Sequence, residues 1–510
     1  MKKLLRLLSS RYFLAVLCIL LEFGQMLAVF IYLRSYFWPV NLLGWVLQLV
    51  VTLYILNRDE IPEFKLPWLF VLFLAPVTGA FIFLLFANNS ASKKQYRRHT
   101  AVMEELARYA GQTPAAEEVR RGDEHNAYRQ VQYLHTAAGA PCHKGTAITY
   151  YPSGEDFHPA LLEAMESGEK FIFMEYFILQ EGKMWDPIHE ILRRKAARGV
   201  AVYVMYDDFG CMNKLSDKYY ELLRDEGIHA LPANKLRPVF TRSHNNRDHR
   251  KITVVDGRVG FTGGLNLSDR YMNAEEVFGH WKDSAIRLEG PAVRNLTALF
   301  LASWNTQASE AIDCAPYMEY LPEEQDVPVF AVPFGDGPPP LYADRIGKNT
   351  YLGIIYAARE YLYITTPYLI CDHELLNALR IAARRGVDVR IITPHIPDKK
   401  TIFLMTRSNY LPLVRDGVRI YEYTPGFIHA KNFLADDCLA VCGSINLDYR
   451  SLVHNYECAA WMYGTDAVRD MRDDFLATVA VSEEITPEKA VLRGGKRLEA
   501  EILKVLSTLL

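Results

Sequence analysis

Two short stretches of the chain carry residue types that can do chemistry together. His249, Lys251 and Asp256 form an H-x-K-x4-D pattern, and His429, Lys431 and Asp436 form it again. Seven residues after each aspartate begins a small turn containing asparagine: Gly263-Gly264-Leu265-Asn266 and Gly443-Ser444-Ile445-Asn446. On a strand, residues i and i+2 point to the same face, so each histidine projects beside its lysine. Two such strands facing each other surround one pocket with two imidazoles and two ammonium groups. That set suits a phosphodiester. The lysines neutralise the non-bridging oxygens without a metal, one imidazole attacks phosphorus, and the other protonates the leaving alcohol. Asn266, Asn446, Ser444 and the backbone N–H groups of the turns can stabilise charge in the transition state. An attacking imidazole must be neutral, and its second nitrogen needs an acceptor to fix the tautomer. Asp283, 34 residues after His249, and Glu457, 28 after His429, are the candidates for that role.

The elements that hold these residues also occur twice. KFIFMEYFIL (170–179) is matched by EYLYITTPYLI (360–370), RGVAVYVMYD (198–207) by RGVDVRIITP (385–394), and LLRDEGIHAL (222–231) by LVRDGVRIYEY (413–423). HRKITVVD (249–256) and HAKNFLAD (429–436) close the two series. The offset is far longer than a solenoid repeat, so the pattern is a domain duplication. Alternating strands and helices predict two α/β sandwich domains with mostly parallel central strands, at residues 131–312 and 341–485. A Pro- and acid-rich connection, 313–340, separates them. A helical linker at 99–130 precedes them, and an amphipathic helix at 486–510 follows, packed on the protein or lying on a bilayer.

Three apolar runs open the chain: Tyr12–Leu33, about Tyr36–Leu56, and Leu66–Phe86. Each is long enough for a helix spanning roughly 30 Å of hydrocarbon. They predict a transmembrane segment of two to three helices at residues 1–98. Lys93, Lys94, Arg97 and Arg98 follow the third run and place the remainder in the cytoplasm. Lys2, Lys3, Arg6 and Arg11 compete for the same side, so span number and orientation stay open.

Half of the residues are apolar and 23% are charged, which excludes a disordered chain. The net charge of −3 argues against a dedicated nucleic-acid binder. Cys18, Cys142, Cys211, Cys314, Cys371, Cys438, Cys442 and Cys458 form no C-x-x-C pair and read as buried thiols in a reducing compartment.

Taken with the double motif, four stretches resemble the phospholipase D superfamily and, within it, the bacterial cardiolipin synthase branch. They are LPWLFVLFLAPVTGAFIFLLF (66–86), NNRDHRKITVVDGRVGFTGGLNLSDRY (245–271), HWKDSAIRLEGPAV (280–293) and HAKNFLADDCLAVCGSINLDYRSLVHNYE (429–457). The resemblance implies two duplicated phospholipase D-like domains behind an N-terminal transmembrane segment, in a multi-pass cell-membrane protein with no cofactor and no catalytic metal. It implies that a phosphatidyl group passes from one phosphatidylglycerol to a second through a phosphohistidine, giving cardiolipin and glycerol. Phosphatidylglycerol is then both donor and acceptor, the bilayer is the other partner, and nucleic acid is none. The implied catalytic set is His249 as nucleophile, His429 as general acid and base, Lys251, Lys431, Asp256 and Asp436. Two departures stand out. Gly264 replaces the superfamily's serine, which removes a hydroxyl from the first half and leaves more room beside His249. The run at 12–33 adds to a two-span pattern. A hydrolase using water, or another alcohol, as acceptor would share the same site; a tethered nuclease and an inactive membrane scaffold are the remaining alternatives.

Overall fold

A computed structural model describes residues 37–58, 60–87, 92–110, 114–122, 125–235 and 246–509, with isolated positions before residue 37. The apolar run at 12–33 falls almost wholly outside the described residues. The chain divides into two units, Ser90–Ala500 and Met1–Asn89 with Glu501–Leu510.

In the larger unit the duplication is visible strand by strand. The first half contributes β1 (Ala147–Tyr151), β2 (Phe171–Tyr176), β3 (Ala201–Asp207), β4 (His229–Ala233), β5 (Lys251–Val255), β6 (Val259–Gly263) and β7 (Ala285–Glu289). They lie in the order β1-β7-β6-β5-β2-β3-β4. The second half contributes β8 (Phe330–Asp336), β9 (Tyr361–Thr365), β10 (Asp388–Pro394), β11 (Arg419–Tyr423), β12 (Asn432–Ala435), β13 (Leu439–Gly443) and β14 (Glu457–Tyr463). Their order, β8-β14-β13-β12-β9-β10-β11, repeats the first, with His143–Lys144 and Ser482–Glu484 added at its two edges.

Each sheet is mixed, which corrects the expectation of mostly parallel central strands. Only β2-β3-β4 and β9-β10-β11 are parallel. The motif strands β5 and β12 are antiparallel to both neighbours. The cause is local. Asp256-Gly257 and Asp436-Asp437 all have positive φ, between 52° and 67°. Arg258 N–H donates to Val255 C=O at 3.0 Å, and Cys438 N–H to Ala435 C=O at 3.2 Å. Paired positive-φ residues make the tight turn that joins antiparallel neighbours, whereas a parallel pair needs a long crossover.

The expected linker 313–340 and a helix that straddles the expected boundary at 130/131 both belong with the second sheet. β8, inside 313–340, pairs with β14 along its whole length. The helix Ala127–Ala138 packs on the second sheet's cover, where its Gln130 Oε1 accepts from Trp461 Nε1 at 3.0 Å. His143, placed by sequence in the first domain, pairs with Ala331 of β8.

Side chains alternate along the strands as the pleat requires. Ile172, Met174 and Tyr176 of β2 enter the outer core beneath helices Gly154–Glu166 and Trp185–Ala197. Phe171 and Phe173 enter an inner core that takes residues from both sheets, including Ile252, Ile286, Ala440, Cys442 and Ala460. Burial on both faces accounts for the nearly continuous apolar character of these strands.

The smaller unit holds helices Phe37–Leu56, Pro62–Leu74 and Pro76–Phe86. The third apolar run is therefore two helices rather than one span. Pro76 disfavours helical geometry at the preceding residue, and Ala75 sits at φ −144°, ψ 83°. The pieces fold back on each other, with the Trp68 and Phe83 rings 5.4 Å apart. Gly79 permits the close approach, since a Cβ there would stand 2.9 Å from the Val71 carbonyl oxygen. Among the described residues no helix is long and apolar enough to cross a membrane. Large apolar side chains are nevertheless exposed on all three, among them Trp38, Leu42, Trp45, Leu49, Phe73 and Phe81.

Candidate active site

Both histidines lie at the start of their motif strands, where the two halves meet. His249 N–H donates to Tyr456 C=O at 2.9 Å, and His429 N–H donates to Lys282 C=O at 2.6 Å. Each backbone bond thus goes to the residue just before a carboxylate in the other half. The side chains follow. His249 Nδ1 pairs with Glu457 Oε2 at 2.9 Å, and His429 Nδ1 with Asp283 Oδ2 at 2.6 Å. Sequence named both acids but could not say which served which histidine; each acid serves the histidine of the opposite repeat.

With Nδ1–H donated to carboxylate, Nε2 of each ring keeps its lone pair. Lys251 and Lys431 each turn Nζ to the backbone carbonyl of their own motif histidine. The two carboxylates are fully buried, while the His249 and His429 side chains keep 11% and 9% exposure, enough to open on a ligand. Phe177 packs against His249, and Tyr271 and Trp281 against His429.

Burial sets the charge states. It pushes His249 well below the ordinary imidazole range, and Lys251 and Lys431 add to the push. It lowers His429 to about 3, with Lys431 assisting and Asp283 opposing. It draws Lys251 down to about 8 against Glu457, and Lys431 to about 7 against Asp283. The acids diverge. Burial raises Glu457 to about 7 despite Lys251 and the Ser444 hydroxyl. Burial also works against Asp283, but His429 and Lys431 outweigh it and hold this carboxyl below its usual range.

The small turns meet the two acids differently. Ser444 Oγ donates to Glu457 Oε2 at 2.5 Å and accepts from Cys458 N–H at 3.0 Å. Gly264 occupies the equivalent place, and a Cβ there would lie 2.1 Å from Asp283 Oδ1. The glycine thus makes room for the acid that holds His429, and not, as expected from sequence, for space beside His249.

The motif aspartates are not in the pocket. Asp256 closes the far end of β5, where its carboxylate accepts from the N–H groups of Glu169, Lys170 and Phe171 at 2.7–2.8 Å. Asp436 takes those of Arg359, Glu360 and Tyr361 at 2.8–3.0 Å. Seven residues from their histidines, at ~3.3 Å per residue, they stand roughly 20 Å away. Of the two roles open to them, contact with substrate or bracing a turn, their hydrogen bonds match the second: they fasten the starts of β2 and β9. The asparagines are also committed to scaffold. Asn266 Oδ1 accepts from Ile178 N–H at 3.0 Å while its amide donates to Tyr271 Oη at 2.8 Å, and Asn446 donates to Ser451 Oγ at 3.1 Å.

One cluster of metal-ligand type occurs among the described residues, His395, Glu422 and Glu483. It stands apart from the histidine pair, and Arg407 and Lys489 already lie against its carboxylates.

Comparison with known proteins agrees with this geometry. The sequence profile of the cardiolipin synthase PLD-like domain matches residues 161–304 and 351–479, one match per repeat. The chain belongs to the PLD-like cardiolipin synthase family. It is 34% identical over 455 residues to cardiolipin synthase 2 of Bacillus anthracis, covering 88% of this chain and 87% of that protein. It is 32% identical over 492 residues to cardiolipin synthase of Geobacillus sp. strain WCH70, covering 95% and 97%. In fold it is similar to the crystal structure of phosphatidylserine synthase from Haemophilus influenzae Rd KW20. That match has a TM-score of 0.56 at 14% identity and covers 75% of this chain and 97% of the other. Membership in the cardiolipin synthase family makes the chain a phospholipid phosphatidyltransferase.

Sequence reasoning missed Arg270 and Arg450, which take equivalent places in the two repeats. The signal was an N-L-x-x-R run after each small turn, Asn266–Arg270 and Asn446–Arg450.

Proposed function

We propose that the protein makes cardiolipin from two molecules of phosphatidylglycerol through a phosphohistidine. The crossed pairing of each histidine with a buried carboxylate, between two lysines, carries the reading. Nε2 of neutral His249 attacks phosphorus, forming a P–N bond as the bond to the glycerol oxygen breaks. His429 gives the leaving oxygen its proton. The terminal hydroxyl of a second phosphatidylglycerol then returns a proton to His429, its oxygen attacks phosphorus, and the P–N bond breaks. Atoms and charge balance, with glycerol the by-product and no energy-rich donor consumed.

The carboxylates support this division of labour. An ionised Asp283 favours an imidazolium at His429, the form a general acid needs. Glu457, with its raised affinity for protons, gives His249 less help in becoming charged and leaves it the nucleophile. An incoming phosphodiester offsets the lysines' field and lets His429 gain its proton. The motif aspartates take no chemical part. The exposed apolar faces at 37–86 support insertion of this unit into the bilayer beside both lipids. Cytoplasmic placement of the remainder rests on Lys93, Lys94, Arg97 and Arg98.

The test is incubation of purified protein with phosphatidylglycerol alone. Cardiolipin and glycerol in equal amounts are expected, with a transient acid-labile phosphoryl adduct on His249. Phosphatidic acid as sole lipid product would establish water as the acceptor instead. An adduct on His429 would reverse the histidine roles.

A further inference from the structure

A reaction that joins two anionic lipids must hold two phosphodiesters, and His249 with the two lysines accounts for one. The pseudo-symmetric arginines differ in a way that bears on the other. In the second repeat, Arg450 has Asp448 and Asp207 drawing on its charge. In the first repeat, Ser268 stands where Asp448 stands in the second. Ser268 is fully buried and its hydroxyl has no partner among the described residues. Arg270 therefore lacks the acid that its counterpart has. Its neighbour Asp269 faces away and accepts from Met184 N–H at 2.9 Å. Arg270 Nε is buried without an acceptor, and the guanidinium lies 5.3 Å from both the Tyr271 and the Trp281 ring centroids.

A second cation stands with it. Lys214 is lowered to about 8, by burial first and then by Arg270, with Glu275 pulling the other way. Lys214 and Arg270 are both half-buried, each within reach of the other's charge, and neither has a carboxylate inside ion-pair distance among the described residues. Desolvated like charges are unfavourable unless an anion joins them. The Tyr271 and Trp281 rings that carry Arg270 also pack against His429, with centroids at 5.6 and 5.3 Å. Arg270 thus flanks the imidazole that, in the proposed reaction, accepts the proton of the incoming hydroxyl.

We propose that Arg270 and Lys214 bind the phosphodiester of the acceptor phospholipid. The inference rests on the transfer reaction above and adds to it a second anion subsite on the His429 side. A phosphatidylglycerol bound there by its phosphate presents its terminal hydroxyl one glycerol length away, at His429. A neutral alcohol gains nothing from the subsite. The two cations therefore select an anionic lipid over water or a simple alcohol.

The experiment is a partition measurement. Phosphatidylglycerol vesicles are offered with ethanol, and the ratio of cardiolipin to phosphatidylethanol is read from the same tube. Arg270→Gln and Lys214→Gln should each lower that ratio at least tenfold, and Arg270→Lys should restore part of it. Both products arise from one phosphoryl-enzyme, so a change in ratio reports acceptor choice, and residual phosphatidylethanol reports a folded site. A ratio unchanged in Arg270→Gln and Lys214→Gln, whether total turnover falls or not, would overturn the subsite. A wild-type protein that makes phosphatidylethanol but no cardiolipin would instead overturn the parent reading, and the subsite with it.

Discussion

The two halves of the larger unit share a strand order, a motif and a turn, and they differ where they touch the chemistry. In one, Glu457 holds His249 with help from Ser444 Oγ at 2.5 Å. In the other, the shorter Asp283 holds His429 and a glycine replaces the serine, because the carboxylate fills the space a side chain would need. Duplication supplied two equivalent imidazoles. In the proposed reaction, with its two distinct alcohol transfers, the unequal acids favour one imidazole as nucleophile and the other as proton carrier.

The largest effect should come from removing the nucleophile. His249→Ala should lower cardiolipin formation at least ~10⁴-fold and abolish covalent labelling. His429→Ala should match that loss with phosphatidylglycerol, yet still label slowly with a donor whose leaving group needs no proton. Equal labelling of His249 and His429 in the wild-type protein would erase the proposed asymmetry. Lys431→Met removes a charge that the proposed mechanism uses to neutralise the non-bridging oxygens, and a fall of roughly 10³-fold in kcat is expected.

Gly264→Ser tests the asymmetry directly. It imports the second half's residue into the first, where the new Cβ meets Asp283. Displacing the acid should cost about 10²-fold in activity, with a smaller loss in the reverse change, Ser444→Gly. Equal losses would mean that the glycine is there for some other reason.

The pH profile of kcat/KM sharpens the same contrast, because it reports the free enzyme. Lys431 at about 7 and Lys251 at about 8 lose their charge as pH rises, so the alkaline limb should fall through that window. Glu457 at about 7 gains its proton as pH falls and weakens the hold on His249, producing an acid limb close by. The result is a narrow bell centred near neutrality, with apparent values belonging to the coupled site. Glu457→Asp, which copies the first half's acid, should shift the acid limb to lower pH.

The smallest effect on chemistry is expected at the motif aspartates. Asp256→Ala leaves three N–H groups, that of Phe171 buried, without their acceptor and should lower stability by roughly 2 kcal/mol in denaturant unfolding, with kcat of the folded fraction little changed. A loss of kcat as large as that of Lys431→Met would return Asp256 to the catalytic set.

The duplication and the histidine and lysine pairs were legible because H-x-K on a strand has a fixed geometry and the flanking strands repeat in sequence. The crossed acids were not, because Asp283 and Glu457 each follow a motif in their own repeat, and only the docking of the halves assigns them. Sheet direction was missed for a similar reason. The runs at 170–179 and 198–207 read as parallel strands and are parallel, but the turns Asp256-Gly257 and Asp436-Asp437 announce hairpins at the motif strands, and their aspartates were read as chemistry instead. In the apolar segment, hydropathy alone ran Leu66–Phe86 together, although Pro76 marks the break.

The crossed carboxylates also bear on the chain's birth. When a ribosome has delivered the first repeat, His249 and Lys251 are already in place, but Glu457 lies 208 residues further along. The half-made protein would carry the proposed nucleophile without its tautomer-fixing acid. It stays chemically silent until the last strands of the second sheet have docked. On the proposed mechanism, competence is therefore a report that the whole molecule has been assembled, and a truncated product is expected to be inert rather than a rogue lipase.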